Sequence, residues 1–126
     1  MKVLQIIETA YRATIEEQDD TIVWVTHAMK GAGGDLHVLL KGNAVNYTLQ
    51  NQDASGLRFG DWQQTQPPQL AADIAGLIKK GVSVFAVKED FIERGLDKEN
   101  LIDDVQLISK TELPGLFNSY DHIWHW

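Results

Sequence analysis

Five short runs of apolar residues along the chain have the length and composition of buried β-strands. They are rich in β-branched or aromatic side chains and show no helical spacing. In chain order they occupy residues 3–7, 36–40, 82–87, 105–108 and 122–126. Because both faces of each run are apolar, the pattern favours strands that are covered on both sides.

The segments between these runs carry helical spacing. A first helix is capped by Asp19 or Asp20 and ends at Gly33 or Gly34. Its apolar face is predicted to hold Ile22, Val25, Met29 and Ala32. A second long helix begins after Pro67 and Pro68, ends at Gly81 and carries the stripe Leu70, Ala71, Ile74, Leu77 and Ile78.

Three shorter helices are expected near residues 44–49, 89–94 and 111–119. The last contains Pro114 and must therefore be short or begin late. Residues 50–66 form a polar segment that is predicted to be a loop. A loop of this length is unusual in a compact domain and suits a lid or a contact surface.

The alternation of strands and helices predicts an α/β fold with a parallel sheet and helices on both faces. Right-handed crossovers place every strand-to-helix turn along one edge of such a sheet. Ligands of open α/β sheets bind at that edge, beyond the carboxyl ends of the strands. Any site in this chain is therefore expected there.

Length and charge narrow the class of protein. The 126 residues suit one domain, residues 1–126, and 11 Lys and Arg against 18 Asp and Glu give a net charge of −7. An acidic surface disfavours nucleic-acid binding.

The short apolar runs and the N-terminal residues predict neither a membrane helix nor a signal peptide, so a cytoplasmic protein is expected. Cysteine is absent, which excludes disulfides and a thiol nucleophile.

Several segments together resemble the DsrE/DsrF-like family. They are the opening strand with its long loop, the KGNAV turn at 41–45, the strand at 82–87 leading into FIERGL at 91–96, and the closing aromatic strand. The resemblance implies a three-layer α/β/α sandwich with a five-stranded, mainly parallel sheet. It also implies assembly into trimers or hexamers, of one chain or of related chains, and in several members a persulfide relay of sulfur.

The same resemblance locates the acceptor cysteine of the sulfur-relay members. It lies just after the third main strand, and counting back from Arg94 and Gly95 places it near Val87. Valine offers no nucleophile, and persulfide formation needs a thiolate. No catalytic residue is therefore assigned.

Polar residues follow the first three predicted strands and form a candidate ligand site at the sheet edge. They include one or two cations and a helix start, which suits a small anion. With Val87, the candidate ligand-binding residues are Glu8, Tyr11, Arg12, Asn43, Val87 and Lys88. The alternative is that these are ordinary solvated loop residues.

Aromatic residues in the tail and the long loop form a second candidate surface. Trp124 and Trp126 share one face of the last strand, where they either dock on the core or anchor a subunit interface. Phe59 and Trp62 lie in the loop and are expected to contact a neighbouring subunit or cover a pocket. His122 and His125 point to opposite faces of the strand, so no metal site and no cofactor is predicted.

Three hypotheses remain open. The first is a non-catalytic DsrE-like binding or scaffolding subunit linked to sulfur metabolism, acting as a homo-oligomer or with cysteine-bearing relatives. The second is a small-anion or nucleotide-type ligand-binding protein, or a cysteine-independent enzyme, that uses the sheet-edge pocket. The third is a structural paralogue without a ligand.

Overall fold

A computed structural model describes residues 1–12, 16 and 20–126 of the chain. The strands are β1 (Lys2–Ile7), β2 (Asp35–Leu40), β3 (Arg58–Phe59), β4 (Trp62–Gln63), β5 (Val84–Val87), β6 (Gln106–Ile108) and β7 (His122–His125). The α-helices are α1 (Thr21–Gly31), α2 (Leu70–Lys79), α3 (Lys88–Glu93) and α4 (Leu113–Phe117). Short 3₁₀ helices cover Gly42–Thr48, Lys98–Asn100 and Lys110–Glu112.

The central sheet has five strands in the order β6-β5-β2-β1-β7, and all four neighbouring pairs are parallel. This confirms the predicted α/β fold with a five-stranded parallel sheet. Strand β1 lies between β2 and β7, with Gln5 opposite Val38 on one side and Trp124 on the other.

Two predicted segments differ from the structure. The helix expected at 44–49 is the 3₁₀ helix Gly42–Thr48. The loop expected at 50–66 contains the antiparallel hairpin β3–β4, in which Phe59 faces Trp62. Two-residue strands give no periodic signal, which explains why the hairpin was missed.

Helix α1 begins at the predicted cap but buries a different face. The Asp20 carboxylate accepts hydrogen bonds from the N–H groups of Ile22 and Val23, whereas Asp19 lies outside the described residues. The buried residues are Ile22, Val23 and Thr26, while Val25 and Met29 are half-buried and Ala32 is an exposed C-cap. The predicted face was therefore wrong by part of a turn.

One face of the sheet is covered by α1, α2 and the first 3₁₀ helix. The predicted stripe of α2 is confirmed, since Leu70, Ile74 and Leu77 are buried and pack against Val38 and Val84. Gly81, with φ of +90°, ends the segment after α2 in a conformation that favours glycine. This face holds the larger part of the core.

The opposite face is covered by α4. Leu4, Ile6 and Leu39 point to this side and pack with the α4 residues Leu113 and Leu116. Their neighbours along each strand point to the α1 and α2 side, as the two-residue period of a strand requires. Both faces of the sheet are thus buried.

A buried polar group joins β1, α1 and the end of the chain. The Gln5 amide is fully buried, donates to Thr26 Oγ1 at 2.7 Å and accepts from Trp126 Nε1 at 2.8 Å. Buried amides require such partners, since an unpaired one costs roughly 1–3 kcal/mol. These bonds fix β7 and its C-terminal tryptophan against the first helix.

The order in which strands are added to the sheet reverses at β1, although β1 and β7 run parallel. From β1 the chain proceeds through β2, β5 and β6 to one side, and it then returns across the other face to place β7 beside β1. The carboxyl ends of β1 and β7 therefore flank the topological switch point, where open α/β sheets bind ligands. Among the described residues, no helix is long and apolar enough to cross a membrane.

Candidate functional site

Glu8 is the centre of a charged cluster at the switch point. It follows β1, and its carboxylate lies 2.7 Å from His125 Nε2 at the end of β7 and 4.0 Å from Lys41 Nζ after β2. The N–H of Glu8 also donates to the carbonyl of Trp126 at 2.9 Å. Three adjacent strands thus deliver one carboxylate and two basic groups to the same edge.

Asp90 forms a second, more buried cluster beside the first. Its carboxylate accepts from the N–H of Gly42 at 2.8 Å and lies 3.6 Å from Lys110 Nζ. Gly42 has φ of +56°, and a Cβ there would lie 3.2 Å from Glu8 Cγ. Glycine at this position therefore allows the β2 turn to pass close to Glu8 and still reach Asp90.

Glu89 closes the β5 and β6 end of the edge. It accepts from Ser109 Oγ at 2.7 Å and from the N–H of Lys110 at 2.9 Å. The hydrogen bond from Ser109, followed by that from Lys110, lowers the pKa of the Glu89 carboxyl below its usual value. Glu89 is therefore a fixed carboxylate rather than a proton donor at neutral pH.

Asn43, a predicted ligand residue, is held by Arg94. The guanidinium donates to Asn43 Oδ1 from Nη2 at 2.9 Å and from Nε at 3.2 Å. Its Nη1 donates to the carbonyl of Asp90 at 3.1 Å. Arg94 thus ties the end of α3 to the turn after β2 and leaves Asn43 Oδ1 already bonded.

A buried network supports Tyr11. Tyr11 has φ of +61°, and its N–H donates to the hydroxyl of Tyr47. The Tyr47 hydroxyl donates in turn to Asp20 Oδ2 at 2.7 Å. Burial, with the hydrogen bond to Asp20, raises the pKa of the Tyr47 phenol well above its ordinary value. Tyr47 is therefore a permanent donor to the carboxylate that caps α1.

A cavity of about 520 Å³ opens beside Tyr11. The Tyr11 hydroxyl donates to Gln52 Oε1 at 2.8 Å on one wall. Asn51, Asp53 and the start of α2 at Leu70 form the other walls. The lining combines polar residues with apolar ones such as Leu70 and Ala71, and a mixed lining of this kind is common in small-molecule sites.

The six predicted ligand residues are not all brought together. Glu8 and Asn43 flank Gly42 at the edge, and Tyr11 lines the cavity. Arg12 is half-buried after Tyr11, and Lys88 is exposed at the start of α3. Val87 is 0% exposed and packs with Leu4, Ile6, Leu39 and Ile108, so its side chain belongs to the core and does not reach the surface.

Sequence reasoning missed several residues that shape the edge. Lys41 and His125 each stand within one residue of a strand's carboxyl end, and that rule alone would have placed them beside Glu8, as it placed Asp90 at this edge. The pairing of Asp20 with Tyr47 joins positions 27 apart and gives no local signal. Within residues 1–12, 16 and 20–126, no three His, Asp or Glu side chains are grouped as metal ligands would be.

An apolar groove lies between α1 and β7. It has a volume of about 640 Å³, and its polar lining is Gln5 and His125. The apolar lining residues are Val25, Met29, Ile123, Trp124 and Trp126. Trp126 remains 43% exposed although its indole N–H is bonded to Gln5. The structure therefore leaves both predicted tail tryptophans at a concave surface.

The β3–β4 hairpin presents a second apolar surface. Phe59 is 63% and Trp62 39% exposed, and their ring centroids lie 5.7 Å apart. The base of the hairpin is fixed, because Leu57 and Gln64 exchange hydrogen bonds and Glu16 accepts from Thr65. We define these two rings as the aromatic hairpin surface.

The edge and the two aromatic surfaces differ in what they offer a ligand. At the edge, Lys41 and Lys110 face Glu8 and Asp90, and the guanidinium of Arg94 is hydrogen-bonded to Asn43, so these three cations already have partners in the chain. The groove and the hairpin expose apolar area instead. This arrangement suits association with apolar partners better than charge-driven chemistry.

No protein-family model matches the chain, and no curated protein matches its sequence. Among solved structures, the YchN protein of Escherichia coli superposes with a TM-score of 0.70 and 19% identity, and the match covers 100% of both chains. A conserved protein of unknown function from Bacteroides thetaiotaomicron, BT1422, superposes with a TM-score of 0.70 and 12% identity. That match covers 99% of this chain and 94% of that one.

A third structure, MTH1491 of unknown function from Methanobacterium thermoautotrophicum, gives a TM-score of 0.61 and 13% identity over 98% and 97% of the two chains. At such identities the matches establish a shared fold and nothing of activity. The chain has the α/β fold of YchN and of these conserved proteins, and that fold agrees with the resemblance found in the sequence.

Proposed function

We propose that this protein is a non-catalytic DsrE-like binding or scaffolding subunit. It assembles with copies of itself, as a trimer or hexamer, or with cysteine-bearing relatives. A place in intracellular sulfur metabolism follows from the sequence resemblance. The protein acts by presenting surfaces rather than by forming covalent intermediates.

The exposed aromatic surfaces carry this proposal. Phe59, Trp62 and Trp126 leave large apolar areas in contact with water, at positions fixed by hydrogen bonds rather than on loose ends. Tryptophan and other aromatic residues are enriched where subunits meet. Exposing them has an unfavourable free energy that association removes.

The position of the expected sulfur acceptor supports the non-catalytic part. Val87 stands there with its side chain in the core, and the whole chain has no cysteine. A thiolate is the nucleophile in persulfide chemistry, so this chain cannot carry the sulfur itself. A scaffolding role beside a cysteine-bearing subunit requires no such group.

The cavity beside Tyr11 favours a second candidate, a small-anion or nucleotide-type binding protein or cysteine-independent enzyme. It lies at the carboxyl end of the sheet and holds about 520 Å³. Arg12, which follows Tyr11, and Lys88, at the start of α3, are the cations that would attract an anion to this edge, although neither lines the cavity. Calorimetric titration with inorganic phosphate and with AMP tests it. Heat that is lost in both Arg12→Ala and Lys88→Ala favours it, and no heat in the unaltered protein contradicts it.

Truncating Trp126 tests the first candidate. Trp126→Ala should weaken self-association by at least about tenfold, because it removes a central apolar side chain of the groove. It should also lower the free energy of unfolding by roughly 1–3 kcal/mol, since buried Gln5 Oε1 loses its donor. Light scattering after size exclusion gives the mass, and urea unfolding gives the stability.

Two variants separate these effects. Trp126→Phe keeps most of the apolar area but has no N–H, so it should lose stability and retain assembly. Ile92→Ala removes an exposed apolar side chain of α3 outside the groove and should change neither quantity. An unchanged mass for Trp126→Ala at every concentration would contradict an interface at this groove.

A further inference from the structure

We infer that strand β7 pairs with β7 of a second copy, antiparallel about a two-fold axis at Trp124, so that the two sheets join into one. This inference rests on the proposed function and names a contact through which copies of the chain associate. The contact surface is the open backbone side of residues 122–126, which we call the β7 edge.

The backbone of the β7 edge has free hydrogen-bonding groups on one side. Trp126 donates its N–H to the carbonyl of Ile6 and accepts from the N–H of Glu8, both at 2.9 Å, so its polar groups point toward β1. Because these directions alternate along a strand, Ile123 and His125 direct theirs away from β1. β7 ends the strand order, and no strand of the described residues lies on that side.

The two edges of the sheet differ in their protection against such pairing. At the other edge, β6 has three residues, follows Asp103 and Asp104 and is followed by Lys110. Short length and charged side chains are common protections of edge strands. Residues 122–126 contain no Lys, Arg, Asp, Glu, Pro or Gly, and Ile123 is 40% exposed. The open strand is therefore the one at β7.

The β7 edge is complementary to itself. A two-fold axis at Trp124 places Ile123 opposite His125 of the second copy, and His125 opposite Ile123. Each of these pairs exchanges two backbone hydrogen bonds, so both outward residues of both copies are satisfied. An axis at Ile123 would instead place His125 opposite Asp121, whose N–H is already bonded within its own chain. The backbone thus selects the register centred on Trp124.

The same register brings apolar side chains together and no carboxylates. Residues opposite each other without hydrogen bonds lie closest, about 4.5 Å between Cα atoms, so the two Trp124 rings meet at the axis. Trp124 lines the α1 side with Trp126, Val25 and Met29, so the grooves of the two copies adjoin across the axis. The paired residues carry no acidic group, which allows two chains of net charge −7 to approach here.

A contact of this kind is isologous, because each copy gives and receives the same strand. On its own it closes a dimer, and with a separate three-fold contact it closes a hexamer. Main-chain pairing supplies affinity, and the paired tryptophans supply specificity. Of the two assemblies that the resemblance implies, the β7 edge therefore favours the hexamer.

Single cysteines test the register directly, because the natural chain has none. In the paired strands, position 123 of one copy lies about 5.5 Å from position 125 of the other between Cα atoms, within the range of a disulfide. Identical positions lie diagonally at roughly 7–8 Å, which is too far. An oxidised mixture of Ile123→Cys and His125→Cys should therefore form a mixed disulfide dimer, seen by non-reducing electrophoresis and intact mass. Neither variant alone should exceed the rate of random collision.

Matched controls separate edge pairing from collision and from folding. Ile92→Cys, exposed on α3, reports the rate of random collision. Ile123→Lys should weaken the contact by at least about tenfold, so that the assembly separates into halves on sedimentation. Gln106→Lys adds the same charge at the opposite edge and should leave the mass unchanged. If Ile123→Lys fails to fold by circular dichroism, the cysteine pair still decides the register.

The results distinguish this inference from the proposed function. If the unaltered chain assembles and the mixture cross-links no faster than Ile92→Cys, the β7 pairing is wrong and the scaffolding proposal stands. Cross-linking of Ile123→Cys by itself at the rate of the mixture would refute the register about Trp124. A monomeric unaltered chain removes the homo-oligomer and this inference together.

Discussion

The carboxyl edge of the sheet and the two aromatic surfaces differ in how their side chains are accommodated. At the edge, Glu8, Glu89 and Asp90 find cations or N–H donors within the same chain. At the groove and the hairpin, Trp126 and Phe59 keep much of their surface in water. The comparison teaches that the contacts of the edge are made within this chain, whereas the aromatic surfaces are the ones on which the proposed assembly depends.

The edge itself contains two kinds of polar contact. Asp20 and Tyr47 are buried, so their hydrogen bond cannot be replaced by water. Glu8 and His125 are about half exposed, and water can solvate either one when the other is removed. Stability should therefore depend on the first pair and hardly on the second, while assembly should depend on neither.

The largest effect on stability is expected for Tyr47→Phe. The loss of the hydroxyl leaves buried Asp20 Oδ2 without its donor and should lower the free energy of unfolding by roughly 1–3 kcal/mol. Urea unfolding measures it. Tyr120→Phe is the control, because that hydroxyl has no hydrogen bond among the described residues. Equal stability of the two variants would show that the buried network is not needed for folding.

His37, a partly buried residue at the opposite edge of the sheet, should make the free energy of unfolding depend on pH. Burial, then the charge of Lys2, lowers the pKa of His37, and Asp35 offsets this only in part. Its Nδ1 accepts from the N–H of Ser83 at 3.0 Å, which also requires the neutral ring. The unfolded chain thus binds a proton at a pH where the folded chain does not.

The sign of the effect follows from linkage. The unfolding free energy should be highest above about pH 6.5 and should fall as the pH drops from there toward the lowered pKa of His37. In His37→Gln, the free energy of unfolding should no longer show this part of the fall with decreasing pH. Urea unfolding between pH 8 and pH 5 compares the two proteins, and identical slopes would mean that His37 takes up its proton equally in both states.

The smallest effect is expected for Glu8→Gln. Its partners are solvated, so the free energy of unfolding should change by less than about 1 kcal/mol. Glu93→Gln, an exposed carboxylate of α3, controls for the lost charge. A loss of about 2 kcal/mol or more at Glu8 alone would show that the switch-point cluster is a structural element like the buried network.

The sequence alone predicted those parts of the fold in which apolar residues recur with the spacing of a strand or a helix. The strand containing Leu36, Val38 and Leu40 and the stripe of α2 are confirmed because apolar spacing along a strand or helix decides which side is buried. The face of α1 was less predictable, since Val25 and Met29 are as apolar as the residues that the core buries. Only the position of β7 decides that they line a groove.

The candidate site was harder to predict for a different reason. Its clusters join residues that are remote in sequence, such as Glu8 with His125 and Gly42 with Asp90. A single sequence carries no signal for such pairs, apart from the rule that strand ends meet at one edge. The burial of Val87 likewise depends on α4, which covers it from the far end of the chain.

Native mass spectrometry of the freshly purified, unaltered protein tests the central claim most directly. The account predicts an oligomer of identical chains, or a complex with a cysteine-bearing relative, with no covalently retained sulfur on this chain. A bare monomer at micromolar concentration, with no partner after mild purification, would contradict the assembly role of the aromatic surfaces.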